Sequence, residues 1–245
     1  MAHNPFPKID FDFRGYASEE MTLQTLNESR EDGIEHDDLS IARALEEDII
    51  FGRLAPGTRL TEDALLARFH VTRHFARQAI VQLETMGIVV RERNKGATVR
   101  SLTARQVQEI YDVRELLQRQ AALWIRLPAP EALIEELLAL HEEHGRHIES
   151  GYLRGVHEAN DKFHLTLFGA CGNTHLVQSI ELYMRLSLPV RANSMSSKES
   201  LRISHEHHRL MIEMLHGGDN WVLAQLCVDH LQPSKKRYLA YVSEN

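Results

Sequence analysis

The stretch from residue 61 to residue 100 constrains the fold of this chain more than any other part of it. Apolar residues recur there at helical spacing in two short runs, separated by the tripeptide His70-Val71-Thr72, which predicts two helices joined by a tight turn. Two β-prone runs then flank an Arg-Asn-Lys-Gly sequence at residues 93–96, as in a hairpin. Two short helices followed by a basic hairpin predict a winged helix-turn-helix, whose second helix can enter a DNA major groove.

The second predicted helix has an apolar face and a basic one. Apolar residues recur every three or four positions and are expected to face a core. They are Phe75, Ala79, Leu83 and Met86. Arg73 and Arg77 lie four residues apart on another face, where arginine can bond guanine edges or clamp phosphates. Such a pair is often only a solvated surface pair, so the surrounding helix-turn-helix-wing order is what favours DNA contact.

The same residues resemble a known family. The runs FGRLAPGTRL, VTRHFARQAI and NKGATV are similar to the GntR family of bacterial transcription regulators, whose usual recognition segment is Val-Ser/Thr-Arg-x-Pro-Val-Arg-x-Ala-Leu. This chain matches that segment at Val71, Thr72, Arg73, Arg77 and Ala79. It departs from the family pattern at Phe75, Ala76 and Ile80, and at His70, where glycine is usual. The remaining chain resembles the all-helical ligand-binding domain, called FCD, of the FadR-type branch.

The resemblance implies that the arginine pair contacts DNA. We predict DNA-contacting residues at the start of the second helix, in the first helix of the domain and in the wing. They are Thr72, Arg73, His74, Arg77, Arg43, Lys95 and Gly96. Helix-turn-helix dimers bind half-sites about 34–36 Å apart. We therefore expect a homodimer bound to double-stranded, pseudo-palindromic operator DNA.

The charge distribution is consistent with a DNA-binding domain joined to a second domain of a different kind. The formal net charge of the 245 residues is −7, which by itself argues against a nucleic-acid partner. Residues 39–100, however, hold ten Lys and Arg against seven Asp and Glu, whereas the rest of the chain holds 18 against 28. Such a basic segment on an acidic chain predicts one DNA-facing domain and one domain with another task.

The sequence also indicates the cellular compartment in which the protein acts. No apolar run is long enough for a transmembrane helix, and the first residues lack the apolar core of a signal peptide. Cys171 and Cys227 are too few for a disulfide framework. We expect a cytoplasmic protein with no membrane partner.

Periodicity and breaker residues divide the chain into four segments: a flexible N-terminal arm at 1–38, the winged helix-turn-helix at 39–100, a linker at 101–103, and an all-helical effector and dimerisation domain at 104–245. The fold class expected is therefore mainly α, with a small β-hairpin wing in the first domain and a six- or seven-helix bundle in the second. Pro189 is expected to kink the fourth bundle helix, and Pro233 to interrupt the sixth.

Histidines on separate bundle helices indicate a possible metal site. His164, His208 and His230 each lie among apolar residues, although buried histidines are more often satisfied by hydrogen bonds alone. The FadR-type resemblance implies a divalent ion held by an acid or amide and three histidines in this order, here Asn160 followed by those three. Asn160 stands where aspartate is usual, beside Asp161, and its neutral amide is a weaker ligand. The ion expected is zinc, nickel or manganese.

Two bundle arginines are candidates for an effector site. Arg114 and Arg185 can either bind a ligand carboxylate or form surface salt bridges with Glu115 and Glu181. The interpretation that follows is a ligand-responsive regulator, a repressor, whose helical domain binds a small carboxylate through the metal. The main alternative is a metal-dependent enzyme, which leaves the basic winged module unexplained. A DNA-binding protein without an effector is a further alternative, against which a buried polar cluster argues.

Overall fold

The computed structural model describes residues 38–92, 96–195 and 197–244. The N-terminal domain contains three helices and three short strands: α1 Asp38–Ile50, β1 Arg59–Leu60, α2 Glu62–Phe69, α3 Arg73–Thr85, β2 Val89–Glu92 and β3 Gly96–Val99. The predicted arm, apart from Asp38, and the predicted DNA contact Lys95 lie outside the described residues.

Local residue chemistry sets the ends of α2. The Thr61 hydroxyl accepts a hydrogen bond from the backbone N–H of Ala64 (3.2 Å) and caps the start of the helix. His70 ends it in the left-handed conformation (φ 54°), and its N–H donates to the carbonyl of Leu66. That backbone conformation favours glycine, which gives a physical reason for the glycine usual in the family at this position.

The buried face of α3 differs from the predicted one, because Ala76 and Ile80 are buried and Phe75 is not. Phe75, predicted to be in the core, is 36% exposed, whereas Ala76 is fully buried, as are Ala79 and Leu83. The buried stripe begins at Ala76 because α3 packs against α1, and an alanine at the crossing lets the two helices approach closely. The prediction for Phe75 was therefore wrong.

The wing has three strands where the sequence predicted two. The antiparallel order is β1-β3-β2, with Thr98 of the central strand opposite Arg59 on one side and Val90 on the other. Strand β1 contains only two residues, which is too short for an alternating pattern to reveal it.

The C-terminal domain consists of seven helices: α4 Ala104–Trp124, α5 Glu131–Ser150, α6 Leu153–Gly169, α7 Thr174–Leu186, α8 Leu188–Met195, α9 Lys198–Leu215 and α10 Asn220–Glu244. These helices and the small sheet confirm the predicted mainly α class and two-part architecture. The expected kink at Pro189 is instead a break at Ser187, which separates α7 from α8. The expected interruption at Pro233 was wrong, because α10 is helical on both sides of it.

Two bundle helices pack directly against the DNA-binding domain. Ala192 and Met195 of α8 belong to the same buried cluster as Ile41 and Leu45 of α1. Arg154, near the start of α6, makes a salt bridge of 2.5 Å with Glu47 of α1. The two domains are therefore joined by apolar and ionic contacts as well as by the chain at residues 101–103.

Candidate metal centre and nucleic-acid interface

The start of α3 presents an exposed polar surface. Thr72, Arg73, His74 and Arg77 are all exposed there. The Arg73 Nη2 donates to Asp63 (2.9 Å), and the Arg77 Nε donates to Glu62 (2.7 Å). Exposed ion pairs of this kind contribute only about 0–1 kcal/mol. Both guanidinium groups can therefore exchange these carboxylates for phosphates or base edges at small cost.

Other predicted DNA contacts lie on the same domain. Arg43 is exposed on α1, and Gly96 is exposed at the start of β3, with a φ of 85° that favours glycine. The structure thus places six of the seven predicted residues on the surface of the N-terminal domain, the seventh being Lys95.

Three histidines from three helices converge in the bundle. His164 of α6 lies with its Nε2 3.0 Å from the Nε2 of His230 (α10) and 3.3 Å from the Nε2 of His208 (α9). One nitrogen from each ring lies within 4.8 Å of the others. The sequence predicted these three residues, and the structure brings them together.

Burial keeps the three imidazoles neutral. Desolvation is the largest cause of the lowered pKa of each ring, followed by the charge of a neighbouring histidine. It lowers the pKa of His230 to about 3, and it lowers the pKa values of His164 and His208 well below their ordinary value. A neutral imidazole has a free lone pair, which is the form that binds a metal.

The arrangement fits a divalent ion. Two nitrogen ligands that each lie about 2.0–2.1 Å from one metal ion are roughly 3.0–3.4 Å from each other. The Nε2–Nε2 distances from His164 to His230 and to His208 are of this size. The outward-facing Nδ1 atoms of all three rings are buried and have no hydrogen-bond partner in the described structure. Hydrogen bonds between the Nε2 atoms of these rings therefore leave one nitrogen of each ring without a partner.

Asn160 and Asp161 have different surroundings. Asn160 lines the cavity beside the histidines, and its amide nitrogen donates to Asp161 (3.2 Å). The Asp161 carboxylate is held by the Arg191 guanidinium, with His157 close by. Burial raises the Asp161 pKa, but Arg191 and His157 outweigh it and leave that pKa below its ordinary value. Of the two residues, Asn160 lines the cavity and Asp161 does not.

The cavity next to the histidines has about 660 Å³ of empty space, counted out to its open mouth. Arg114 of α4 lines it and is almost fully buried; its Nη1 donates to Ser187 (3.0 Å). The Arg114 Nε is buried without a partner in the described structure. A buried cation with an unused donor is suited to an anionic ligand, since carboxylates take bidentate hydrogen bonds from arginine.

Arg185, the other predicted ligand contact, is not among the residues that line this cavity. Its side chain is 43% exposed and donates to Glu181 at 2.7 Å, one turn away on the same helix. We therefore remove Arg185 from the candidate site. Arg191 of α8 lines the cavity in its place, a position that the sequence did not indicate because it depends on the break at Ser187.

A second group of histidines was also missed. His144 of α5 is buried and lines the cavity, and its Nδ1 lies 3.4 Å from the Nδ1 of His205 on α9. His205 in turn stacks on His141. The only signal in the sequence was the density of histidines on α5 and α9, which does not say which rings meet.

The two-domain fold agrees with comparisons to known proteins. The FCD domain model matches residues 109–233, and the model of bacterial regulatory proteins of the gntR family matches residues 38–99. This chain belongs to the GntR family. It is a DNA-binding transcriptional regulator with a C-terminal FCD domain.

Relatives within the GntR family match this chain over different lengths. The HTH-type transcriptional regulator YdhC of Bacillus subtilis is 31% identical over 182 residues, which cover 72% of this chain and 80% of the relative. The gluconate operon transcriptional repressor of the same species is 40% identical over 78 residues, or 32% of each chain. A GntR regulator structure from Rhodococcus has a TM-score of 0.65 at 21% identity, covering 83% of this chain and 97% of that one, which shows the shared fold. Among the described helices, none is long and apolar enough to span a membrane.

Proposed function

We propose that this protein is a metal-dependent repressor whose FCD domain binds a small carboxylate and thereby changes its affinity for operator DNA. This function is supported by the cavity that two members of the convergent histidine triad, His164 and His230, line together with the buried Arg114. Repressor action is supported by a relative with that name, the gluconate operon repressor. Because bacterial operators lie in the cytoplasm, we expect the protein to act there.

The metal ligands in this proposal are Asn160, His164, His208 and His230, with zinc, nickel or manganese as the ion. When bound, such an ion supplies a Lewis-acid docking point for an anionic oxygen. Arg114 contributes the second anchor, since its buried guanidinium has an unused Nε donor. The cavity is a small recess walled by side chains of the bundle helices, which suits a metabolite and not a polymer. A sugar acid, hydroxy acid or short-chain organic acid fits this chemistry.

Two helices connect this cavity to the DNA-binding domain. Helix α6 carries Asn160 and His164 on the cavity side and Arg154, paired with Glu47 of α1, near its start. Helix α8 carries Arg191 in the cavity wall and packs against α1 through its apolar face. A ligand that repositions either helix therefore acts directly on the domain that holds the recognition helix. The ligand must bind the two states of the dimer with different affinity, or it shifts nothing.

Replacement of the recognition arginines should weaken DNA binding selectively. We expect Arg73→Ala and Arg77→Ala each to cost roughly 1–3 kcal/mol of operator binding if the residue contacts a base. Binding should also weaken steeply with salt, because phosphate contacts release counterions. The measurement is a titration of DNA sequences that the wild-type protein selects from a random library.

Arg105→Ala is the matched control for this titration, because Arg105 is an exposed arginine paired with Glu109 on the bundle (2.8 Å). It should bind the selected DNA as the wild type does, and all the variants should remain homodimers by sedimentation. Wild-type DNA affinity in the Arg73→Ala, Arg77→Ala double variant would show that α3 does not make the assigned contacts.

Effector binding should depend on Arg114 and not on Arg185. In a thermal-shift screen of small organic acids, a hit on the wild type should be lost in Arg114→Met, which keeps the length of the side chain without its charge. Arg185→Met should bind the hit normally, because Arg185 is on the surface with Glu181. The same hit should change operator affinity about 5- to 150-fold, the usual range of allosteric coupling. A hit that binds both variants equally, or that leaves operator affinity unchanged, contradicts this effector site.

A further inference from the structure

Imidazole rings form a continuous series from the buried triad to the outside of the bundle. The His144 ring on α5 lies 5.0 Å from the ring of the triad member His208 and 5.6 Å from that of His205 on α9, measured between centroids. His205 is partly exposed and stacks on His141 at 3.9 Å. The series thus runs from the fully buried His208, through the almost fully buried His144, to two partly exposed rings.

A glycine makes room for the outer ring. A Cβ atom at Gly145 of α5 would lie 3.0 Å from Cε1 and 3.3 Å from Nε2 of His205. Contacts that short are tighter than ordinary packing allows, so a side chain at this position would displace the His205 ring. The absence of a side chain at Gly145 lets His205 lie against α5 beside His144.

The outer pair has the separation of two ligands on one ion. The Nδ1 atoms of His144 and His205 are 3.4 Å apart, close to the separation of roughly 3.0–3.4 Å between two nitrogens at metal-bond distance. The ring of His141 is nearly parallel to that of His205 (11°), so the lone pairs of these two rings do not converge. Two protein ligands hold an ion more weakly than the three-histidine triad does, which suits a site from which the ion must leave.

A ligand pair beside the triad eases the entry of a divalent ion. The triad lies inside the bundle, and moving a bare charge into a protein interior is costly unless ligands replace its water. Ligands supplied in sequence along the path lower that cost. The carboxylates of Glu149 and Glu206 favour a cation at His205. At His141, Glu142 and Glu206 act in the same direction, against the positive charge of Arg209.

We propose that His144 and His205 form an outer metal-binding station through which a divalent ion reaches the triad of His164, His208 and His230. The inference rests on the proposed metal function of that triad. A station on the path lowers the barrier for entry and for exit alike, and it leaves the final affinity unchanged. Loss of the station should therefore slow both rates by the same factor.

The experiment follows the loading of metal into the full-length protein after its metal has been removed by a chelator. Co²⁺ is the probe, because its visible absorption reports nitrogen ligation in a stopped-flow instrument. We expect His205→Ala to slow Co²⁺ loading and chelator-driven release by about tenfold or more each, which is about 1.4 kcal/mol on each barrier. The Co²⁺ stoichiometry and dissociation constant should equal those of the wild type. His205→Gln, a second variant, should show the same slowing if His205→Ala folds poorly.

His207→Ala is the matched control, because His207 is also a partly exposed residue of α9 but approaches the triad from His230 (5.6 Å between centroids). It should load at the wild-type rate. The station is overturned if both His205 variants load at the wild-type rate, or if His207→Ala is the slow variant. A change in the Co²⁺ dissociation constant in the His205 variants would make His205 a ligand of the bound ion and would also overturn it. If the wild type binds no Co²⁺ at all, the proposed metal function fails first, a result that is distinct from binding with unaltered rates.

Discussion

Acidification of the metal-free protein from pH 7.5 to pH 5.5 should lower its free energy of unfolding by roughly 5 kcal/mol. Four histidines cause most of the loss: His144, His164 and His208, which are buried, and His230, which is partly buried. Burial lowers the pKa of His144 and of His230 to about 3, and lowers the other two well below their ordinary value. In the unfolded chain each titrates near pH 6.5. The unfolded state therefore binds protons over this range that the native state does not, and each histidine contributes about 1.4 kcal/mol of the loss.

The sign of this effect follows from the lowered pKa values. The stabilisation is fully present above about pH 6.5 and is lost as the pH falls toward the native-state values. Urea denaturation in the presence of a chelator, at both pH values, measures it. His144→Leu should reduce the pH dependence by about one quarter, the share of one of four protons. His175→Ala, at an exposed histidine of α7, should leave it unchanged. An unfolding free energy that is the same at pH 7.5 and pH 5.5 would contradict the burial of these neutral rings.

Removal of the bound metal should lower the melting temperature by roughly 5–16 °C. An ion that binds only the folded state at 100 to 1,000 times its dissociation constant stabilises by about 2.7–4.1 kcal/mol. In a protein of this size, 1 kcal/mol corresponds to about 2–4 °C. Zn²⁺, Ni²⁺ or Mn²⁺ added back should restore the melting temperature. Because the metal requires neutral imidazoles, its stabilisation should also fade on acidification.

Calorimetry of the native protein with and without a chelator, together with elemental analysis, tests this prediction. His208→Gln should abolish the chelator effect, because it removes the fully buried member of the triad. His207→Ala, its neighbour in sequence, should retain the effect. Native protein that contains no metal, and whose melting temperature is insensitive to a chelator, would contradict the proposed metal centre.

Local chemistry made several parts of the molecule predictable from sequence. The helical periods, the turn at His70-Val71-Thr72 and the basic hairpin are short-range signals, so the winged helix-turn-helix followed from them. The triad of His164, His208 and His230 was found through one histidine among apolar residues on each of three helices, aided by the family resemblance. The helical periods and the histidines among apolar residues can each be recognised within a single helix, without knowing which other helices pack against it.

The tertiary structure decided which faces of the helices meet. Periodicity orients residues about the axis of their own helix, but not toward a particular neighbour. It did not separate Arg114 from Arg185, whereas packing buries the first and exposes the second. Arg191 enters the cavity only because the chain breaks at Ser187. His144 and His205 meet only because α5 packs on α9 at Gly145. Contacts between segments distant in sequence carry no local pattern, and these contacts build the cavity.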